Sequence, residues 1–203
     1  MRTVTLPVAY MPLVDAAPLI VAREIGFDRA EGISLDLKPA PSWSSLRDML
    51  AFVQVDAAHL LSPVPVAMAL GLGGIATPLS AVSVLSLNGN VIGVANNLAH
   101  RLSDLGYNFD FRDAKAAGAA LAKASDEVLV FGVPFPFSMH VELLRYWVAG
   151  TELASRQIEI RTVPPPLMAQ ALSSGEIDAF CVGEPWGSFA VDNNVRTLLP
   201  GSY

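Results

Sequence analysis

"DAFCVGEPWGSF", residues 178–189, runs through four apolar residues and then breaks into a glycine, a carboxylate, a proline and a tryptophan. A short apolar run bounded by Asp178 and Gly183 has the length of a buried strand. Gly183 carries no side chain, and Pro185 stands where a helix tolerates proline, so the strand turns into a helix with backbone N–H groups exposed at its carboxyl end. In open α/β sheets, ligands bind at such strand ends. The plainer alternative is a strand-to-helix turn with Trp186 as a core aromatic.

The same grammar recurs upstream in "GVPFPFSMH", residues 132–140: a strand, prolines, Ser138 placed to cap a helix, and His140 in its first turn. Two strand ends of this kind aim backbone donors and the positive ends of helices at one small anion. Trp43, in "APSWSSLRDML", opens a further helix behind another strand end, as a core aromatic or as a ligand wall. Asp15 reads as a helix cap.

Short apolar runs alternate with helical spacing along the chain, the pattern of a mostly parallel α/β sheet. Strands are expected near 4–9, 34–38, 57–61, 80–85, 91–95, 128–133, 159–163, 179–182 and 195–199. Leu46, Met49, Leu50 and Val53 fall on one helical face behind Ser42, and His140, Leu144, Trp147 and Val148 do so behind Ser138. Gly175 fits a helix C-cap. The Ala-rich stretch 96–123 reads as a helical entry into a second lobe, with the crossing near 90–97.

The chain's 203 residues, 52% hydrophobic and 16% charged, can bury a sizeable core. A formal net charge of −6 and a pI near 4.9, with scattered Lys and Arg, argue against direct nucleic-acid binding. Any bound anion must be attracted locally. The single cysteine, Cys181, excludes an internal disulfide; inside an apolar strand it reads as a small buried hydrophobe. His59, His100 and His140 lack metal-site spacing, and "GLGG", residues 71–74, lacks the Lys-Ser/Thr of a phosphate loop. The residues as written begin without a leader pattern, which favours a cytoplasmic home, or a periplasmic one if a leader has been removed.

Taken in order, "PLVDAAPLIVAREIGF", "SWSSLRDML", "DAAHLLSPVPVAMALGLGG", "LNGNVIGVA", "PFPFSMHVELLRYW", "VPPPLMAQAL" and "DAFCVGEPW" resemble the nitrate- and bicarbonate-binding proteins of ABC importers and their cytoplasmic nitrate/nitrite-sensor relatives. The resemblance runs nearly end to end. It implies an α/β fold of the type II periplasmic-binding-protein kind, two lobes with a cleft between them, divided here as residues 1–92 and 93–203. It also implies that such proteins continue past the point matching Tyr203, where a later region returns to the first lobe and brings a lysine to the anion. On this resemblance Trp43, His140 and Gly183 contact the ligand, Glu184 and Trp186 belong to the same motif, and Asn90 stands where related nitrate binders carry Gln.

The expected function is therefore reception of a small oxyanion, nitrate, nitrite or bicarbonate, without cofactor or metal. For a ligand of four heavy atoms, a ceiling of about −1.5 kcal/mol per atom allows about −6 kcal/mol, or tens of micromolar. A protonated His140 is expected to help, weakening affinity as pH rises. The partner implied is an ABC permease or, for a sensor, an antiterminator-type regulatory protein. The competing expectation is an enzyme on the same fold, resembling thiamine-precursor synthases, that uses His and Cys.

Overall fold

The computed structural model describes residues 3–74, 76–87, 89–192 and 198–199. It divides into two compact units, Met1–Leu87 and Asn88–Tyr203.

In the first unit, strands β1 (Val4–Tyr10), β2 (Ile33–Pro39) and β3 (Ala57–Ala58) form a sheet of order β2-β1-β3. Every pairing is parallel, from Val4↔Ile33 to Tyr10↔Pro39 and at Val8↔Ala57. The connections are α1 (Ala17–Ile25) with the single turn α2 (Phe27–Ala30), then α3 (Trp43–Ala51); α4 (Pro63–Ala69) follows β3. Gly26, at φ 83°, ends α1 in the left-handed conformation that glycine adopts without strain. The buried Asp28 carboxylate accepts the backbone N–H groups of Arg29 and Leu35, at 2.7 and 2.9 Å, and so ties α2 to β2.

The second unit contains β4 (Asn90–Val94), α5 (Asn96–Asp104), α6 (Ala114–Ala124), β5 (Leu129–Val133), α7 (Met139–Ala149), β6 (Ile158–Thr162), α8 (Met168–Ser173), β7 (Ala179–Gly183), α9 (Trp186–Asp192) and β8 (Leu198–Leu199). Its sheet has the order β6-β5-β7-β4-β8. β5 pairs in parallel with β6 and β7, whereas β4 runs antiparallel to β7 and β8.

Strand β7 explains why its sequence is apolar without alternation. Ala179 and Cys181 face a core with Leu102, Leu121, Leu144 and Trp147 of α5, α6 and α7, while Phe180 and Val182 face a second core with Met168, Leu172 and Ala190 of α8 and α9. A strand covered on both faces reads as a continuous hydrophobic run. Asp178 fixes its register: Val130 N–H donates to the Asp178 carboxylate at 2.9 Å, and Asp178 N–H donates to Val130 carbonyl at 2.8 Å. Gly93 of β4, opposite Phe180, is required because a Cβ there would collide with the Phe180 ring.

Several expectations change. Asp15 does not cap α1, because Ala16 holds the N-cap position and makes no side-chain cap hydrogen bond. The mostly parallel pattern holds throughout the first sheet, but β4 makes the second sheet mixed. Residues 76–87 contain no strand, and Val82, Val84 and Leu87 are exposed; an apolar run becomes a strand only where a neighbouring strand accepts its backbone hydrogen bonds, and none of the described residues does so. Strand β3 stops after two residues because the chain turns toward Pro63 and α4. The two compact units divide between Leu87 and Asn88, and β4 is paired with β7 along its whole length. Of the strand expected at 195–199, residues 195–197 lie outside the described residues, and 198–199 are strand.

Candidate ligand-binding site

All three strands of the first unit run the same way, so their carboxyl ends share one sheet edge. After β2, Ser42 caps α3 by accepting the Ser45 N–H at 3.1 Å, and Trp43 is the first residue of that helix. Trp43 is 1% exposed, and its indole N–H has no hydrogen-bond partner among the described residues. After β3, His59 donates its backbone N–H to Ala9 carbonyl at 2.9 Å. The His59 ring lies edge-on to Trp43 with centroids 5.6 Å apart, and its buried Nδ1 is also unpartnered. Burial pushes the His59 pKa down, with the Asp15 carboxylate opposing that shift.

In the second unit, β5 and β7 are parallel, so the turns after Val133 and Gly183 lie at one edge of that sheet. Ser138 donates to Phe135 carbonyl at 2.6 Å and accepts the Val141 N–H at 3.4 Å, which fixes the start of α7. His140, in the first turn, is 4% exposed, and neither ring nitrogen has a partner among the described residues. Burial lowers its pKa to about 4. The unliganded ring is therefore neutral near pH 7: removal from water penalises the charged form, and no carboxylate among the described residues offsets the penalty.

Gly183 ends β7 directly opposite Asn90, the first residue of antiparallel β4, so these two candidates occupy the same rung. Trp186 opens α9; its ring is partly buried edge-on to Phe189, at 5.7 Å, and its indole nitrogen is buried without a partner. Glu184, half-buried, accepts the Ser188 N–H at 3.1 Å and thereby holds the first turn of α9. The peptide bond between Glu184 and Pro185 is cis. The Glu184 carboxylate is already engaged in a structural task, and its charge is unfavourable to an anion.

Buried polar side chains are almost always hydrogen-bonded. Trp147 obeys that rule, donating its indole N–H to Ala114 carbonyl at 2.7 Å. Among the described residues Trp43, His59, Tyr107, His140 and Trp186 do not; Tyr107 follows α5, whereas the other four stand just beyond the carboxyl ends of parallel strands, two in each unit. Within each unit, two such groups offer N–H donors in an apolar frame, which suits an acceptor-rich small ligand. Sequence reasoning singled out three of the four and passed over His59, which it weighed only as a metal ligand; its place directly after the "DAA" strand was the available signal. Among the described residues no group of three or more His, Cys, Asp or Glu could hold a metal ion. A hollow of about 440 Å³ lined by Ala95, Asn96, Ser174 and Asp178 lies at the opposite edge of the second sheet and contains none of the candidate residues.

Two α/β units, one with a parallel sheet and one with a mixed sheet, are the architecture of the periplasmic-type substrate-binding proteins. The chain belongs to the NMT1-like family, whose profile matches residues 2–199. It is 37% identical over 203 residues to the nitrate import ATP-binding protein NrtC of a Synechocystis species, covering 98% of this chain and 29% of that protein. It is 33% identical to the nitrate/nitrite binding protein NrtA of a Nostoc species, covering 96% of this chain and 44% of that protein. The chain thus spans less than half the length of these curated relatives. Among solved structures, the periplasmic nitrate-binding protein NrtA from Synechocystis PCC 6803 superimposes with a TM-score of 0.76 at 32% identity, over 95% of this chain and 50% of that one. The alkanesulfonate-binding protein SsuA from Xanthomonas axonopodis, at 15% identity and a TM-score of 0.59, shares the fold.

Proposed function

We propose that this chain binds a small oxyanion, nitrate or nitrite, as the receptor component of an ABC import system. The observation that carries the reading is His140: a nearly fully buried imidazole with both nitrogens unpaired, at the start of a capped helix and the end of a parallel strand. The neutral imidazole has one N–H to donate, and an acceptor oxygen of an oxyanion pairs with it; the other ring nitrogen is an acceptor and takes a donor from elsewhere. Trp43 and Trp186 add indole N–H donors and flat apolar walls, and Asn90 adds an amide beside Gly183. Glu184 acts indirectly, by accepting the Ser188 N–H and holding the first turn of α9, which Trp186 opens. The NrtA relatives support nitrate and nitrite, while the bicarbonate transport ATP-binding protein CmpC of Synechococcus elongatus, 35% identical over 199 residues, keeps bicarbonate in the same chemical class.

Two further readings concern the output and the chemistry. As a sensor, the anion-bound chain would be read by an antiterminator-type regulatory protein instead of a permease. As an enzyme on this fold it would need a reactive thiol, but Cys181 is fully buried in β7 and burial pushes its pKa up to about 12, far from a thiolate at neutral pH. The receptor reading is therefore favoured.

The indole N–H resonances test this directly. With Trp43→Phe and Trp186→Phe used for assignment, added nitrate is expected to move the signals of Trp43 and Trp186 saturably and leave Trp147 in place. Three stationary signals at millimolar nitrate, nitrite and bicarbonate would count against any anion site at these residues.

A further inference from the structure

We propose that His59 is a further anion-contacting and specificity-determining residue, forming with Trp43 a paired donor set at the sheet edge of the first unit. The inference rests on the oxyanion-receptor reading and extends it to a residue that reading does not include. Its basis is the coincidence of two unsatisfied atoms on touching rings: the Trp43 indole nitrogen and His59 Nδ1 are both buried and both without a partner among the described residues, with ring centroids 5.6 Å apart. Each ring is more than nine-tenths buried, with exposures of 1% and 8%.

Their placement is over-determined by the backbone. Trp43 is held by the Ser42 cap at the start of a nine-residue helix, and His59 by its own N–H bonded to Ala9 carbonyl of the central strand. A histidine needed only for packing could have been a phenylalanine, without leaving a polar atom stranded. Indole supplies one N–H donor, whereas a trigonal oxyanion presents three oxygens, so an adjacent imidazole donating from Nδ1 engages a second oxygen. Because the Nδ1–H tautomer offers a donor at a fixed position, the residue discriminates among ligands by whether an acceptor oxygen stands there.

The test uses this chain with nitrate, nitrite and bicarbonate as probes. His59→Phe keeps an aromatic edge against Trp43 and removes only the nitrogens; His59→Gln restores an amide donor. The expected result is at least a tenfold loss of affinity for the preferred anion in His59→Phe, partial recovery in His59→Gln, and an anion-dependent shift of the ¹⁵N imidazole resonance of His59 in the unaltered chain. If the unaltered chain binds anion while His59→Phe binds equally well, or while the His59 resonance does not move, the inference is overturned and the receptor reading survives. Should His59→Phe not fold, the resonance alone decides. If no anion moves either His59 or any indole signal, the receptor reading fails and the inference falls with it.

Discussion

His140 is buried at a cost that its packing alone does not recover. Leaving a buried polar group unpaired costs about 1–3 kcal/mol, and the free chain carries that cost at both ring nitrogens. The pKa, lowered from 6.5 to about 4 by burial, makes the cost visible in stability. Between these values the unfolded chain takes up a proton that the folded chain refuses, so stability falls as pH drops from about 6.5 to 4 and is flat above, by roughly 3 kcal/mol in all. His140→Leu should remove this pH dependence and raise the unliganded stability at pH 5 while abolishing oxyanion affinity; denaturant melts at pH 5 and pH 7.5 measure the first, and an unchanged acid dependence would contradict the assignment. Residues of this kind are only half legible in a sequence. Trp43, Trp147 and Trp186 look alike on the page, yet Trp147 is satisfied by a carbonyl 33 positions away in the chain, a partner that no local pattern reveals. The first-turn position of His140 was legible because Ser138 marks the helix start; its neutrality was not, because desolvation depends on everything packed around it.

At the scale of elements, the strand ends matter more than the helices between them. The "AFCV" run reads correctly as a buried strand, and Gly183 correctly ends it. What the run does not disclose is that β4 pairs with it antiparallel and brings Asn90 to Gly183, because strand order is set by long-range pairing. The failure at 80–85 has the same origin: alternating Val82 and Val84 satisfy a local preference, but no strand among the described residues completes the ladder. Gly93 shows how closely this sheet is fitted. Gly93→Ala would drive a Cβ into the Phe180 ring, which packs against Val182, Met168 and Ile177. Overpacking of this kind costs about 1–3 kcal/mol, and the displaced β4–β7 pair carries Asn90 and Gly183 with it. A lower denaturation midpoint together with weakened nitrate binding is the expected outcome; wild-type stability would show that Phe180 moves aside freely.

At the scale of the whole molecule, the chain's family and the α/β character of both units were readable because the motifs occur in order from "PLVDAAPL" to "DAFCVGEPW". The division into Met1–Leu87 and Asn88–Tyr203 places Trp43 and His59 in one unit and Asn90, His140, Gly183 and Trp186 in the other. Each unit thus carries its own pair or group of candidate donors at the carboxyl ends of its parallel strands. Neither set needs a net positive charge, in keeping with a chain of formal charge −6. Calorimetric titration of nitrate into the chain is the measurement that bears most directly on this account. The predicted result is saturable one-site binding with a Kd of tens of micromolar or tighter, the range open to about −6 kcal/mol from four heavy atoms; absence of binding heat and of any shift in melting temperature with nitrate, nitrite or bicarbonate at about a hundredfold above that Kd would contradict it.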